Sequence, residues 1–229
     1  MVWTTGWWDK TIGTSSSKDL IHWEEQKIIP VMMHEPATKN SWAPDLFYDD
    51  MTSTYYIVWA STIPNRHSEV ADTPSEKGLN HRQYFTTTKD FKTFTPTQLF
   101  FNPTFNVIDA TIVYWKERYW MIVKNENPNP PEKNLRVTSA LNIANGFPTE
   151  VSPPITGDYW AEGPTTLIIG DYLYVYFDKY TEGKYGALRT KDGVSWEDIS
   201  DQISFPKGVR HGTTFRVSSS IFEKIKSNK

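Results

Sequence analysis

Three short segments of the 229-residue chain each place one carboxylic acid where an apolar run begins. An acid that is protonated can give a proton to a leaving oxygen, and an ionised acid close to it can activate water. Crowding by like charge separates the pKa values of such a pair. Chemistry of this kind requires a fold that brings the acids together. The segments are Trp42-Ala43-Pro44-Asp45-Leu46, Val107-Ile108-Asp109-Ala110-Thr111 and Trp160-Ala161-Glu162-Gly163-Pro164.

Each acid opens a repeated pattern of strands and turns. A tight turn follows the apolar run, and then comes a strongly aromatic strand, such as residues 172–177, which indicates an antiparallel hairpin. A further strand leads into a polar turn and an aromatic residue, as in residues 84–94 and 187–196. Four strands per unit, with units about 50 residues apart, are typical of a propeller blade.

The repeat predicts an all-β, five-bladed β-propeller that forms a single domain over residues 1–229. Residues 2–5 and 15–23 match the second and third strands of the later units. The sequence therefore predicts that the first, closing blade is incomplete and that its inner strand would lie before Met1. The predicted boundaries are a partial blade at 1–30, blades at about 41–98, 105–150 and 158–202, and a partial fifth blade at 203–222.

The innermost strands of a propeller converge on one axis, so acids at matching positions on them meet at one mouth. We therefore interpret Asp45, Asp109 and Glu162 as equivalent by position and as facing one pocket. For any single acid, the alternative is that its carboxylate satisfies the amides of a turn. A pocket with three carboxylates suits glycoside hydrolysis, which needs one protonated and one ionised carboxyl.

Composition narrows the classes of function. The chain has no cysteine, which excludes a disulfide framework and thiolate chemistry. A formal charge of −3 with scattered lysines and arginines makes nucleic acid a poor partner, and no apolar run is long enough to span a membrane. Aromatic residues make up 15% of the chain, and they supply faces that pack in a core or stack on sugar rings. An uncharged ligand fits best.

The ordered segments 42–45, 107–110, 161–164 and 210–212, with the segment that ends at Trp23, resemble glycoside hydrolase family 43 over essentially the whole chain. The resemblance implies an inverting glycosidase of the α-L-arabinofuranosidase or β-xylosidase type, acting on plant polysaccharides or oligosaccharides. It implies that Glu162 is the general acid and that Asp109 raises the pKa of this acid and orients it. Asp45 would line the pocket. The family's general base is an aspartate on the first inner strand, which is the element predicted before Met1.

Four further residues are predicted to serve the site. Trp42 and Trp160 offer stacking faces to a sugar, with core packing as the alternative for each, and Arg210 can hydrogen-bond hydroxyls or pair with a carboxylate. His211 resembles a family histidine near the central channel, beside a bound calcium or other cation; the alternative is a hydrogen-bonded histidine without metal. The predicted reaction itself requires no cofactor.

Two polar loops, 63–80 and 125–134, are predicted at one mouth and favour an exo-acting enzyme that takes a terminal sugar. Three alternatives stay open: an exo-galactanase-type glycosidase, a sugar-binding propeller without turnover, and an incomplete chain that self-associates through its unpaired blade edge. The expected partner is a carbohydrate. The chain shows no signal peptide, and a secreted or periplasmic parent enzyme is the expectation for location.

Overall fold

The computed structural model describes residues 1–67 and 78–228, which fold mainly into four antiparallel sheets that follow one another along the chain. The first sheet contains β1 (Val2–Thr4), β2 (Ile12–Thr14) and β3 (Lys27–Ile29). The second contains β4 (Trp42–Asp49), β5 (Thr54–Ser61), β6 (Arg82–Thr88) and β7 (Gln98–Phe101). The third contains β8 (Val107–Trp115), β9 (Arg118–Asn125) and β10 (Asn134–Ala140). The fourth contains β11 (Glu162–Ile169), β12 (Tyr172–Lys179), β13 (Lys184–Thr190) and β14 (Glu197–Asp198).

The helical elements are few and short. In the part of the chain that the structure describes, 3-10 turns cover Ile143–Asn145 and Ser200–Gln202, and an α-helix, α1, covers Ser219–Ser227. Helix α1 begins at the cap residue Ser218, whose hydroxyl accepts a hydrogen bond from the amide of Ile221. Among the described residues, no helix has the length and apolar character needed to cross a membrane.

Hydrophobic clusters hold neighbouring sheets together, as blades of a propeller stack face on face. The cluster between the first and second sheets contains Ile12 and Trp59, and the cluster between the second and third contains Val58 and Met121. A third cluster joins the third and fourth sheets and includes Phe177. Many aromatic residues therefore pack between sheets, which is the alternative that the sequence left open for them.

The turn before the outermost strand repeats in the first, second and fourth sheets. In each copy one carboxylate accepts two amide hydrogens, one hydroxyl accepts a third, and the residue after the carboxylate has a positive φ. The side chains replace backbone acceptors and so fix the turn. The carboxylates belong to Asp19, Asp90 and Asp192, and the hydroxyls to Ser17, Thr88 and Thr190.

The innermost strands β4, β8 and β11 each carry a β-bulge next to their first residues, where the pairing register shifts. A bulge bends the strand and re-aims its side chains. The first bulged residue has a positive φ in every case, and these residues are Ala43 (46°), Asp109 (51°) and Gly163 (56°). Because all three bulges lie near the start of an inner strand, they lie at one end of the propeller, which we call the mouth.

The bulges correct the predicted equivalence of the acids. Glu162 precedes its bulge, Asp109 is the first residue of its bulge, and Asp45 follows its bulge. The sequence comparison matched residue type, whereas the cross-strand pairing fixes which positions correspond. The three carboxylates therefore take three different positions of one repeated bulge and face different surroundings.

Residues 210–217 extend the series of inner strands, although they contain no strand with a ladder of backbone hydrogen bonds. His211 has a φ of 42°, like the first bulged residues. The amide of Thr214 donates to Thr165 Oγ1 over 3.0 Å, as the amide of Ile112 donates to Asp45 Oδ2 over 3.3 Å two sheets earlier. The predicted partial fifth blade at 203–222 is thus one inner segment followed by α1, because side chains rather than a strand ladder attach it to β11.

A groove of about 1180 Å³ separates this segment from the first sheet. Val2 and Thr14 line it on one side, Asp45 lies at its edge in β4, and Thr213 and Phe215 line the opposite side. The three strands of the first sheet match the outer three of a four-stranded sheet, so the groove takes the place of an innermost strand. The sheets of the described residues consequently do not close into a ring.

Gly193 provides a test of the contact between the third and fourth sheets. Its φ is 77°, and a Cβ there would lie 2.1 Å from Trp120 Cη2. We expect Gly193→Ala to lower the free energy of unfolding by about 2–4 kcal/mol, because backbone strain and overpacking add. Gly170 has a φ of 58° but open space around it, so Gly170→Ala should cost about 1–2 kcal/mol. Urea unfolding measures both, and equal losses would contradict tight packing against Trp120.

Candidate active site

Glu162 lies at the mouth, at the first residue of β11, and its side chain is 15% exposed. Three cationic donors surround its carboxylate. Lys124 Nζ lies 3.0 Å from Oε2, and Arg210 Nη2 and His211 Nε2 lie 2.9 and 3.0 Å from Oε1. Charge-assisted hydrogen bonds of this kind are stronger than neutral ones and hold the carboxylate in one place.

The pKa of Glu162 follows from these contacts. Burial alone would raise it, but the hydrogen bond from His211 and the charge and hydrogen bond of Lys124 outweigh burial and lower the pKa to about 2. The hydrogen bond to Glu162 raises the pKa of His211, against the opposing effect of burial. The structure thus differs from the expectation of a raised pKa for this acid, because the cations act more strongly than the neighbouring carboxylate.

Asp109 holds the backbone beside Glu162. Its Oδ2 accepts a hydrogen bond of 2.9 Å from the amide of Gly163, which links β8 to β11 across the mouth. Asp109 is buried, and burial raises its pKa, while Lys124 and His211 oppose that shift. Asp109 therefore fixes the bulge that presents Glu162.

Glycine is required at position 163. Its φ is 56°, and a Cβ there would lie 2.9 Å from the ring of His211. The close approach lets the imidazole of His211 reach Glu162. His211 itself has a positive φ, which is strained for a residue other than glycine.

Two charged residues of the site, Lys124 and Asp178, are absent from the sequence predictions. Both are almost fully buried. Lys124 lies at the end of β9, and Asp178 lies in β12 opposite Glu162 and accepts a 2.5 Å hydrogen bond from Arg210 Nε. Burial would lower the pKa of Lys124, but the carboxylates around it, Asp109 first, raise that pKa above its usual range. Each charge follows an apolar run near the end of its strand. Across the hairpin lies the start of a strand that carries an acid, and this placement is the signal that could have found both residues.

Arg210 connects two carboxylates at the surface of the site. Its Nε contacts Asp178 and its Nη2 contacts Glu162, while 56% of its side chain is exposed. A guanidinium that bridges two acids restrains both of them. Because it is exposed, Arg210 is the member of the site that an entering ligand meets first.

Trp160 lies beside this site, and Trp42 lies farther along the mouth. The ring of Trp160 is 5.9 Å from that of Tyr180, and Lys124 Nζ is 4.7 Å from the same Tyr180 ring. Trp42 instead contacts Trp7 over 4.5 Å between ring centroids and donates its indole hydrogen to the Trp7 carbonyl. The two predicted stacking residues therefore belong to different parts of the mouth.

Asp45 is not in contact with Glu162. It lines the groove beside the first sheet and accepts a hydrogen bond from Ile112, so it links β4 to β8. Burial raises the pKa of Asp45 to about 6, against the hydrogen bonds that it accepts. The structure brings Asp109, Glu162, Arg210 and His211 together and leaves Asp45 outside this cluster.

The expected cation needs several oxygen or nitrogen ligand atoms that lie close together. Asp109, Glu162 and His211 each offer one possible ligand atom, and these atoms lie within 4.8 Å of one another. Both oxygens of Glu162 already accept hydrogen bonds from cationic groups, and Lys124 lies beside them. A calcium ion would be repelled by these groups and would find too few free oxygens. As arranged, the residues do not fit a metal ion.

The structure describes the two predicted loops to different extents. Most of the first, residues 68–77 of 63–80, lies outside the described residues. In the second, Glu132 accepts hydrogen bonds of 2.8 and 2.9 Å from the side-chain amides of Asn125 and Asn127. Glu126 of the same loop contacts Lys124 over 2.7 Å. The loop therefore helps to hold Lys124, a residue of the site, in place.

Comparisons with known proteins identify the family and the fold of the chain. A family described as "probable glycosyl hydrolase domain", related to family 43 of the glycoside hydrolases, matches residues 4–223. No curated protein matches in sequence. Solved structures with the same fold include an α-L-arabinofuranosidase from Lactobacillus brevis, at 15% identity and a TM-score of 0.55 over 83% of this chain and 69% of that one. An exo-β-1,3-galactanase from Phanerochaete chrysosporium matches at 12% identity and a TM-score of 0.60, over 84% of this chain and 44% of that one.

A thermostable family-43 glycoside hydrolase matches with a TM-score of 0.65 at 12% identity, over 90% of this chain and 72% of that one. These likenesses confirm the predicted all-β, five-bladed propeller with an incomplete closing blade. The chain spans less than half the length of the galactanase.

The contact between His211 and Glu162 predicts a change in pKa. His211→Gln removes the hydrogen-bonded cation that most strongly lowers the pKa of Glu162, so this pKa should rise toward its ordinary value. A carbon-13 NMR titration of the side-chain carboxyl measures it. The control is His22→Gln, because His22 contacts Asp19 in a surface turn. An unchanged Glu162 pKa in His211→Gln would contradict the assigned cause.

The same pair predicts how stability depends on pH. A lowered Glu162 pKa stabilises the fold above the unfolded-state value of about 4.3, and this contribution is lost as pH falls toward about 2. A raised His211 pKa stabilises the fold below about 6.5, and this contribution is lost as pH rises through the folded-state value. His211→Gln should therefore destabilise the chain more at pH 6 than at pH 9. Denaturant titrations at both values test this, and equal losses would contradict it.

Proposed function

Because the chain belongs to the family of glycosyl hydrolase domains related to glycoside hydrolase family 43, we propose that it hydrolyses O-glycosidic bonds with Glu162 as the general acid. The observation that carries the proposal is the environment of Glu162. It is a largely buried carboxyl at the mouth that shares a hydrogen bond with a histidine of raised pKa. This arrangement supplies a proton at a fixed position.

The proposed substrates are oligosaccharides or polysaccharides of plant origin that contain arabinose or xylose, attacked at a terminal sugar with inversion. Similarity of fold to a structure described as an α-L-arabinofuranosidase supports this class. Similarity to a structure described as an exo-β-1,3-galactanase supports an exo-galactanase-type activity as the neighbouring alternative. Trp160 and Tyr180 would supply the apolar faces for the sugar at the acid.

The proton path begins at His211. At neutral pH Glu162 is ionised, so it must gain a proton before it can act as an acid. The proton on His211 Nε2 passes over 3.0 Å to Glu162 Oε1, and Glu162 gives it to the glycosidic oxygen as the bond to the anomeric carbon breaks. His211 is then neutral and is protonated again from solvent.

Arg210 controls this transfer. Its guanidinium shares Glu162 Oε1 with His211 and stabilises the ionised form of the acid. The side chain is mostly exposed, so a sugar that enters the mouth can displace it from Glu162. Loss of this cation favours the protonated acid, and Asp178 still holds the other side of the guanidinium.

The attacking water needs a second, ionised carboxylate on the opposite face of the sugar. Among the described residues of the cluster, Asp109 and Asp178 are buried and already accept hydrogen bonds. Asp45 is partly exposed, with a pKa of about 6, but it lies at the groove. These observations favour a second candidate function, a propeller that binds sugars without turnover.

Leaving-group dependence tests the role of Glu162. Phenyl and 2,4-dinitrophenyl α-L-arabinofuranosides and β-xylosides are compared, because only the phenyl leaving group needs a proton. Glu162→Gln should lower kcat on the phenyl glycosides by about 100-fold or more and affect the dinitrophenyl glycosides far less. The control is Glu150→Gln, an exposed glutamate away from the site, which should retain full activity.

The outcomes separate the two candidate functions. Equal losses on both leaving groups, or no loss, would remove Glu162 from the role of acid. If the unaltered chain binds arabino- or xylo-oligosaccharides in calorimetry but releases no aglycone, the sugar-binding function replaces hydrolysis.

A further inference from the structure

A cluster of exposed tryptophans lies at the mouth, outside the cluster of Glu162. Trp7 and Trp8, in the loop between β1 and β2, are 63% and 46% exposed. Their rings stand at 88° to each other with centroids 6.4 Å apart, so they form a corner. Trp42 packs behind them, with centroids 4.5 Å from Trp7 and 6.1 Å from Trp8. We call these three residues the tryptophan corner.

The tryptophan corner lies at the same end of the propeller as Glu162. Trp42 precedes the bulge of β4 as Glu162 precedes the bulge of β11, so the two residues take equivalent positions on inner strands. Arg210, which precedes the positive-φ residue His211, takes this position in the last inner segment and contacts Glu162. Side chains at this position therefore surround one mouth.

The loop that carries Trp7 and Trp8 is held in place. The Trp42 indole donates a 2.7 Å hydrogen bond to the Trp7 carbonyl, and the amide of Asp9 donates to the Gly6 carbonyl. A Cβ at Gly6 would lie 2.6 Å from Asp9 Oδ2, at the end of an exposed side chain. The indoles are thus presented without much freedom to lose when a ligand binds.

The ring behind Trp42 belongs to a buried histidine. Trp42 packs against the ring of His81 at 4.9 Å, and His81 is buried among hydrogen bonds with Asn40 and Asn106. Burial lowers the pKa of His81 to about 4, so its ring is neutral at physiological pH. The corner offers flat apolar faces backed by a neutral ring, and such faces suit the C–H face of a sugar ring better than an ionic ligand.

We propose that the tryptophan corner is a second sugar-binding subsite, which holds a glycan unit beyond the one at Glu162. This inference rests on the proposed function for the nature of the ligand, and it makes the preferred ligand an oligosaccharide rather than a single sugar. Trp7 and Trp8 stack on the distant unit, while Glu162 and Arg210 contact the terminal one. The corner acts in binding and takes no part in proton transfer.

The test measures binding separately from hydrolysis. In a Glu162→Gln background, calorimetry with arabino- and xylo-oligosaccharides of two to six units is compared with the monosaccharides. Affinity should increase with length, and Trp7→Ala or Trp8→Ala should weaken binding of the longest ligand about tenfold while leaving the monosaccharide within about twofold. The control is Trp23→Ala, because Trp23 is 41% exposed in the turn between β2 and β3, at the other end of the sheet. Circular dichroism confirms that the variants fold.

Unchanged affinity in both Trp7→Ala and Trp8→Ala, an equal loss in Trp23→Ala, or no binding of any oligosaccharide to the parent would overturn the subsite. Failure of the unaltered chain to hydrolyse glycosides would reject the proposed function without deciding the subsite, because the binding titrations do not depend on turnover. Loss of length-dependent binding in an active chain would reject the subsite alone.

Discussion

The bulge at the start of each inner strand is the constraint on which the site depends. A positive φ at Ala43, Asp109, Gly163 and His211 turns each segment in the same way. Hydrogen bonds between neighbouring segments keep these turns aligned with one another. The clearest of these links is the amide of Gly163 on the carboxylate of Asp109. It places the first residue of β11 against Lys124 and against the last inner segment. It also fixes the bulge that presents Glu162.

The charges of the site are organised around Glu162. Lys124 and Asp178 are buried, so each requires a partner of opposite charge, and Glu162 and Arg210 provide them. Buried ion pairs contribute little net stability, because removing charges from water offsets most of their attraction. What they provide is position: they hold the Glu162 carboxylate in one place, where it accepts a hydrogen bond from His211. Such an arrangement suits a group that must change its protonation state in contact with a ligand.

Much of the fold follows from local sequence. The repeated Ser/Thr-x-Asp turns, the hairpins and the aromatic strands gave the blades, because their hydrogen bonds and apolar contacts are set within a few residues. The repeat placed Asp109 and Glu162 at the starts of inner strands, whereas Arg210 was proposed from its chemistry and His211 from the family resemblance. The predicted positional equivalence of Asp45, Asp109 and Glu162 was wrong, because residue type cannot show where a bulge shifts the register by one residue. Lys124 and Asp178 were missed because each reads as the first polar residue after an apolar run until the hairpin pairing is known.

The most direct measurement is a crystal structure of the Glu162→Gln variant with an arabino- or xylo-oligosaccharide bound. We predict a glycosidic oxygen within about 3 Å of the side chain at position 162, with Arg210 displaced from that side chain. Density for the sugar elsewhere, with Arg210 still bridging position 162 and Asp178, would contradict the assignment of Glu162 as the acid.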